Sequence, residues 1–204
     1  MGARGGARAG RRHGVSAARA RAVLWVLTVS AVLAGFWFPG WLKLIYPLPH
    51  SELVFAAAAE SGVDPYLVFA VIRAESAFRV EAQSSAGARG LMQLMPDTER
   101  EIAAKIQVQV EGPEDIMDPE LNVRMGCWYL ARLSREFDGR LPPAIAAYNA
   151  GRGKVREWLE SGTWDGALHT SADIPFTETR RYVQKVMADY SMYRQVYHQP
   201  ALEQ

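Results

Sequence analysis

The sequence predicts a mainly α-helical domain over residues 50–198, and three observations carry that prediction. Helix-start signals recur: Asp64-Pro65, Asp118-Pro119 and Pro142-Pro143 put proline at or near a first helical position, where its missing N–H costs nothing. Residues Tyr66–Ile72 are apolar all the way round, which suits a helix in the middle of a domain. The segment 79–94, rich in Ser, Gly and Ala, lacks helical periodicity, so a structured loop with at most a small β element is expected there.

The elements follow in order. Ser51 is placed to cap a helix through about Glu60, with Gly62 ending it. Asp64-Pro65 starts the apolar helix, which runs to about Glu75. Pro96 opens the next, with Thr98 and Glu101 spaced as a capping box. Asp118-Pro119 starts a long helix to about Phe137, stopped by Gly139. Pro142-Pro143 starts a short one through Tyr148, and Gly153–Glu160 forms another. Thr177 caps a last long helix through about Tyr197, with Tyr182, Val183, Val186, Met187 and Tyr190 on its apolar face.

The first residues read differently. Residues 1–21 hold six arginines and no acid, and 17 uncharged residues follow from Ala22 to Phe38. As a helix these span roughly 25 Å, and continuing to Leu42 reaches the ~30 Å of a hydrocarbon core. Trp37 and Trp41 stand where interfacial aromatics are expected, and the arginines assign the N-terminal side to the cytoplasm. The expected organisation is a basic cytoplasmic arm (1–21), a single-pass transmembrane signal-anchor (22–42), a linker (43–49), the domain (50–198) and a tail (199–204). A cleavable signal ending at Val32-Leu33-Ala34 is the alternative, and it would give a secreted domain. Both put the domain outside the cytoplasm.

Charge and composition exclude several functions. Outside the basic arm, 17 basic residues face 22 acidic ones, so the domain has no general attraction for nucleic acid. The single cysteine, Cys127, allows no intrachain disulfide and reads as a packed small hydrophobe. The four histidines are scattered and no glycine-rich phosphate cradle is present, so neither metal nor cofactor is expected.

One carboxylate stands out. Glu75 ends the most hydrophobic helix, where burial and the negative end of the helix dipole both disfavour its ionised form. That raises a carboxyl toward the range of a general acid. The alternative is that Glu75 turns outward and pairs with Arg73, Arg79 or another cation.

Four motifs bear on that choice: Glu75-Ser76, Gly90-Leu91-Met92-Gln93-Leu94-Met95-Pro96, Ala147-Tyr148-Asn149-Ala150-Gly151, and Ile174–Val183 (IPFTETRRYV). In this order they resemble the catalytic domain of the soluble lytic transglycosylase (SLT) family, over about residues 50–198. The resemblance implies a lysozyme-like fold of the goose-type lysozyme and SLT kind. It implies peptidoglycan glycan strands as substrate, and Glu75 as the single catalytic acid/base. Ser84, Gln93, Met95, Tyr148 and Asn149 match residues of the glycan cleft, Tyr148 being the tyrosine set against the catalytic carboxyl. Glu178, Arg180 and Tyr182 match the final motif, either touching substrate or bracing the last helix. A monomer is expected.

A glycosidase normally uses two carboxylates. By the resemblance one suffices, because the muramic acid 6-hydroxyl serves as nucleophile and leaves a 1,6-anhydro end, a lyase reaction. A hydrolytic muramidase on the same fold is the nearest alternative, with Glu81 or Asp97 as base. An idle glycan-binding scaffold is the more distant one.

Overall fold

The computed structural model describes residues 17–37 and 39–197, so Arg4, Arg8, Arg11, Arg12, Phe38 and the tail expected at 199–204 lie outside the described residues. The chain divides into two compact units, Met1–Ile45 and Tyr46–Gln204.

The first unit holds helix α1 (Ala17–Trp37), a 3₁₀ turn (Pro39–Trp41) and the short α2 (Leu42–Ile45). Pro39 follows the helix closely, as expected of a residue that cannot continue one. Along α1, Val23, Leu24, Trp25, Val26, Leu27, Val29, Val32 and Leu33 are all exposed. Among the described residues no helix is long and apolar enough to cross a membrane. The structure therefore does not show the transmembrane anchor expected at 22–42.

The second unit is built from α3 (Ser51–Ser61), α4 (Pro65–Glu75), α5 (Pro96–Ile106), α6 (Pro113–Met117), α7 (Pro119–Glu136), α8 (Leu141–Ala150), α9 (Arg152–Glu160) and α10 (Thr177–Tyr197). A 3₁₀ turn, Ser171–Asp173, precedes α10. The domain is mainly α, as expected. At the centre lies α4, with Leu67, Val68, Phe69, Ala70, Val71 and Ile72 at most 3% exposed. Helices α3 and α10 pack directly against it, and α7 and α8 complete the enclosure. Leu67, Val68, Phe69, Val71 and Ile72 each contribute roughly 1.5–3 kcal/mol by leaving water. A smaller cluster of Leu94, Ile102, Ala103, Ile116 and Met125 sits under α5 and α6. Tyr129 and Tyr148 pack against both clusters.

Most of the helix signals act as expected. Asp64 accepts from the Tyr66 N–H at 2.9 Å, and Asp118 from the Leu121 N–H at 2.9 Å. Gly62 ends α3 at φ 70°, and Cys127 is fully buried with its thiol pushed up to about 12 by desolvation. Two caps differ. His50, in left-handed conformation, takes the N-cap position of α3 instead of Ser51. At α5 the N-cap is Met95, with no side-chain bond, so Thr98 and Glu101 form no capping box. Glu101 is drawn away by Arg132 at 2.5 Å and Arg152 at 3.4 Å, charges from α7 and α9. The expected small β element is reduced to two isolated bridges, Gln83 with Arg89 and Arg89 with Leu94.

The second half of the expected linker belongs to the domain. The Tyr197 hydroxyl donates to the Tyr46 carbonyl at 2.7 Å, and that of Tyr193 to the Pro47 carbonyl at 3.1 Å. The Tyr46 ring meets Tyr193 edge-on at 5.2 Å, and the Arg73 guanidinium lies over it at 4.6 Å. A fragment starting at Tyr46 is expected to melt several degrees above one starting at His50, since the shorter one loses two hydrogen bonds and the ring contacts. Equal melting temperatures in calorimetry would show that this strap contributes nothing.

Candidate active site

Glu75 is the last residue of α4 and does not pair outward. Arg73 turns to Asp189 of α10 at 3.5 Å, and the Arg79 Nε donates to the Ser76 carbonyl. The Glu75 carboxyl faces α10, where the Tyr182 hydroxyl donates to its Oε1 at 2.6 Å. Burial raises the carboxyl from 4.5 to about 7, against the Tyr182 hydrogen bond and the attraction of Lys185, with Glu178 adding repulsion. The group therefore holds a proton it can give and take near neutral pH.

Two phenols border this carboxyl. Both Tyr182 and Tyr148 are pushed well above the ordinary value for tyrosine, by burial first and then by the Glu75 charge. They serve differently. Tyr182, from the last motif, makes the hydrogen bond to Glu75, whereas the Tyr148 hydroxyl donates to the Met92 carbonyl at 2.8 Å. Tyr148, the tyrosine expected against the carboxyl, borders it and feels its charge, while the hydrogen bond to the carboxyl comes from Tyr182. Tyr148 ties α8 to the loop instead.

That loop, residues 79–95, is fastened from several sides. The Gln93 amide nitrogen donates to the carbonyls of Ala82 at 2.8 Å and Gly90 at 2.9 Å, so both its donors are engaged within the loop. Ser84 Oγ accepts the Ala88 N–H at 3.0 Å. The roles seen for Gln93 and Ser84 are loop closure. From α7, the fully buried Asn122 accepts the Met92 N–H at 2.8 Å and donates to the carbonyls of Arg89 at 3.0 Å and Ile116 at 2.9 Å. Gly90 has φ 75°, and a Cβ there would strike the Asn122 amide. Gly126 allows α7 equally close to Met92, whose sulfur occupies the space of a Cβ. Met95 is 42% exposed and free to meet a ligand.

The remaining residues are placed as follows. Asn149 Oδ1 accepts the hydroxyl of buried Thr179 at 2.7 Å, joining α8 to α10. Arg180 donates through Nε and Nη2 to the Ile174 carbonyl at 3.2 and 2.8 Å, which braces the start of α10. Glu178 is exposed in the first turn of α10 and acts on Glu75 through its charge. Of the proposed alternative bases, Asp97 is exposed and paired with Arg100, and Glu81 is exposed on the loop. Neither is among the charges that shift Glu75, and Glu178 is.

Comparison with known proteins places this arrangement. Residues 52–169 match the transglycosylase SLT domain family. The chain belongs to that family. Residues 173–201 match the soluble lytic transglycosylase helical domain. This SLT-family chain is 35% identical over 174 residues to the soluble lytic murein transglycosylase of Salmonella typhimurium, covering 83% of this chain and 26% of that protein. It is 31% identical over 164 residues to the membrane-bound lytic murein transglycosylase C of Cronobacter sakazakii, covering 70% and 45%. The structure superposes on an inactive Glu-to-Gln mutant of lytic transglycosylase Slt from Pseudomonas aeruginosa with a TM-score of 0.71 and 36% identity, covering 78% of this chain and 26% of that one. The chain thus spans about a quarter of the length of the soluble relatives. The lysozyme-like, SLT-type fold expected from the four motifs is borne out.

Proposed function

We propose that this domain cleaves the β-1,4 bond between N-acetylmuramic acid and N-acetylglucosamine in peptidoglycan, without water, with Glu75 as general acid and then base. The observation that carries the reading is the Glu75 carboxyl itself: partly buried, raised to about 7, and hydrogen-bonded to a phenol instead of a second carboxylate. Protonated Glu75 gives its proton to the glycosidic oxygen as the bond to C1 breaks. The resulting carboxylate then takes the proton of the muramic acid 6-hydroxyl, whose oxygen closes onto C1. Glu75 ends protonated again, and the sugar ends as a 1,6-anhydro ring. The internal nucleophile benefits from high effective molarity. Tyr182 orients the carboxyl throughout and Met95 and Asn149 border the glycan. The similarity to murein transglycosylases, and the inactivity of the Pseudomonas protein after a Glu-to-Gln change, support this reading.

A second reading is favoured by one observation. Glu178 is a carboxylate close enough to raise Glu75, and as a base for water it would make the enzyme a muramidase. Mass analysis of peptidoglycan fragments separates the two. Ends lighter by one water are expected, and full-mass reducing ends would favour hydrolysis.

The N-terminal unit is proposed to hold the domain at the outer face of the membrane through the exposed apolar side chains of α1. No span of the described residues is required to cross the bilayer, and the domain is proposed to act as a monomer. The exposed apolar side chains of α1 between Val23 and Leu33, behind arginines, support this placement. Relatives described as soluble and as membrane-bound both occur. Protease added to spheroplasts is expected to digest the domain, and its protection would contradict this topology.

A further inference from the structure

Helix α10 passes the Glu75 carboxyl with one stripe of side chains. Glu178, Tyr182, Lys185 and Asp189 follow at spacings of three or four residues and so stand in line along the helix. Tyr182 is the fixed point, its hydroxyl 2.6 Å from Glu75 Oε1. One turn to either side stand an acid and a base, Glu178 and Lys185, with Cβ atoms about 5–6 Å from that of Tyr182. Both are exposed, and neither joins an ion pair among the described residues.

Several other ionisable groups near Glu75 are engaged. Asp189 and Arg73 pair with each other across α10 and α4. Arg79, in the loop, is bonded to the Ser76 carbonyl. Tyr182 and Tyr148, the latter from α8, are phenols kept neutral by burial.

We propose that Glu178 and Lys185 work as an opposed pair that sets the pH at which Glu75 exchanges its proton. The inference rests on the acid/base role proposed for Glu75. Glu178 disfavours the Glu75 carboxylate and Lys185 favours it, as both act on that group electrostatically. The two offset one another, so removing either one unmasks the other. Because both are exposed, their influence passes through a screened medium and weakens with salt.

Carbon-13 NMR titration of the Glu75 carboxyl in the full chain, held in detergent micelles, reads this without substrate. Glu178→Gln is expected to lower the midpoint by about half a pH unit and Lys185→Met to raise it similarly. In 1 M salt the variants should converge on the parent. The alkaline limb of kcat/KM should move in the same two directions. Unchanged midpoints, or shifts of the same sign, would overturn the proposal. So would loss of all turnover in Glu178→Gln with the midpoint unmoved, which would make Glu178 a base. Midpoints that shift as stated in a protein that leaves peptidoglycan intact would support the pair and sink the proposed function instead.

Discussion

Replacing Glu75 with Gln is expected to lower turnover on peptidoglycan by about 10²- to 10⁴-fold and to make the folded protein more stable at pH 8. The amide keeps the shape and can still accept the Tyr182 hydroxyl, but it cannot cycle a proton. The stability effect follows from the raised carboxyl. Folded Glu75 titrates near 7 and an unfolded one near 4.5, so between these values the folded chain holds a proton the unfolded chain has released. Stability therefore falls as pH rises through that window, and the full penalty is present above 7. Gln carries no such penalty. Thermal or urea unfolding should show the variant more stable by on the order of 1–3 kcal/mol at pH 8, and equal to the parent at pH 4. The parent's activity should decline above about pH 7 as the acid form is lost. A variant that keeps more than a tenth of the activity, or shows no pH-dependent gain in stability, would remove Glu75 from the role given to it.

Asn122→Ala should be the most destabilising single change in the loop's support. Three hydrogen bonds of 2.8–3.0 Å end on this one fully buried side chain. Its removal takes the partner from the Met92 N–H and a donor from the Ile116 carbonyl, each costing about 1–3 kcal/mol where water does not reach, while the Arg89 carbonyl keeps the Leu94 N–H at 3.0 Å. A loss of roughly 3–5 kcal/mol is expected, which lowers the melting temperature by about 10 °C in a domain of this size. The Tyr148 hydroxyl rests on the Met92 carbonyl, so loosening Met92 should also slow turnover. A melting temperature within 2 °C of the parent, measured by calorimetry, would mean that the loop holds itself.

The two changes show what the sequence discloses and what it hides. Asp64, Asp118 and Gly62 act locally, so the helices they bound can be read residue by residue. Glu101 could not be read that way: its spacing from Thr98 suits a cap, but arginines 31 and 51 residues away claim it. Asn122 gives no signal at all, being one polar residue in a helix whose partner loop lies 30 residues earlier. Helix α6 and the 3₁₀ turn at Ser171–Asp173 are too short for periodicity to register. Within the site, burial of Glu75 could be inferred because its own helix is apolar. The division of labour between Tyr148 and Tyr182 could not, since it depends on which hydroxyl the fold brings to 2.6 Å. Gln93 and Ser84 are polar loop residues whose chemistry suits a ligand and a loop equally, and hydrogen bonding within the loop takes up both.

The central claim is that Glu75 acts alone, with the substrate's own hydroxyl as nucleophile. Digestion of peptidoglycan in ¹⁸O-labelled water, followed by mass spectrometry of the released glycan ends, tests it directly. Ring closure uses an oxygen the sugar already carries, so the ends should be 1,6-anhydro and unlabelled. Predominantly reducing ends carrying one ¹⁸O would show that water is the nucleophile and would contradict the account.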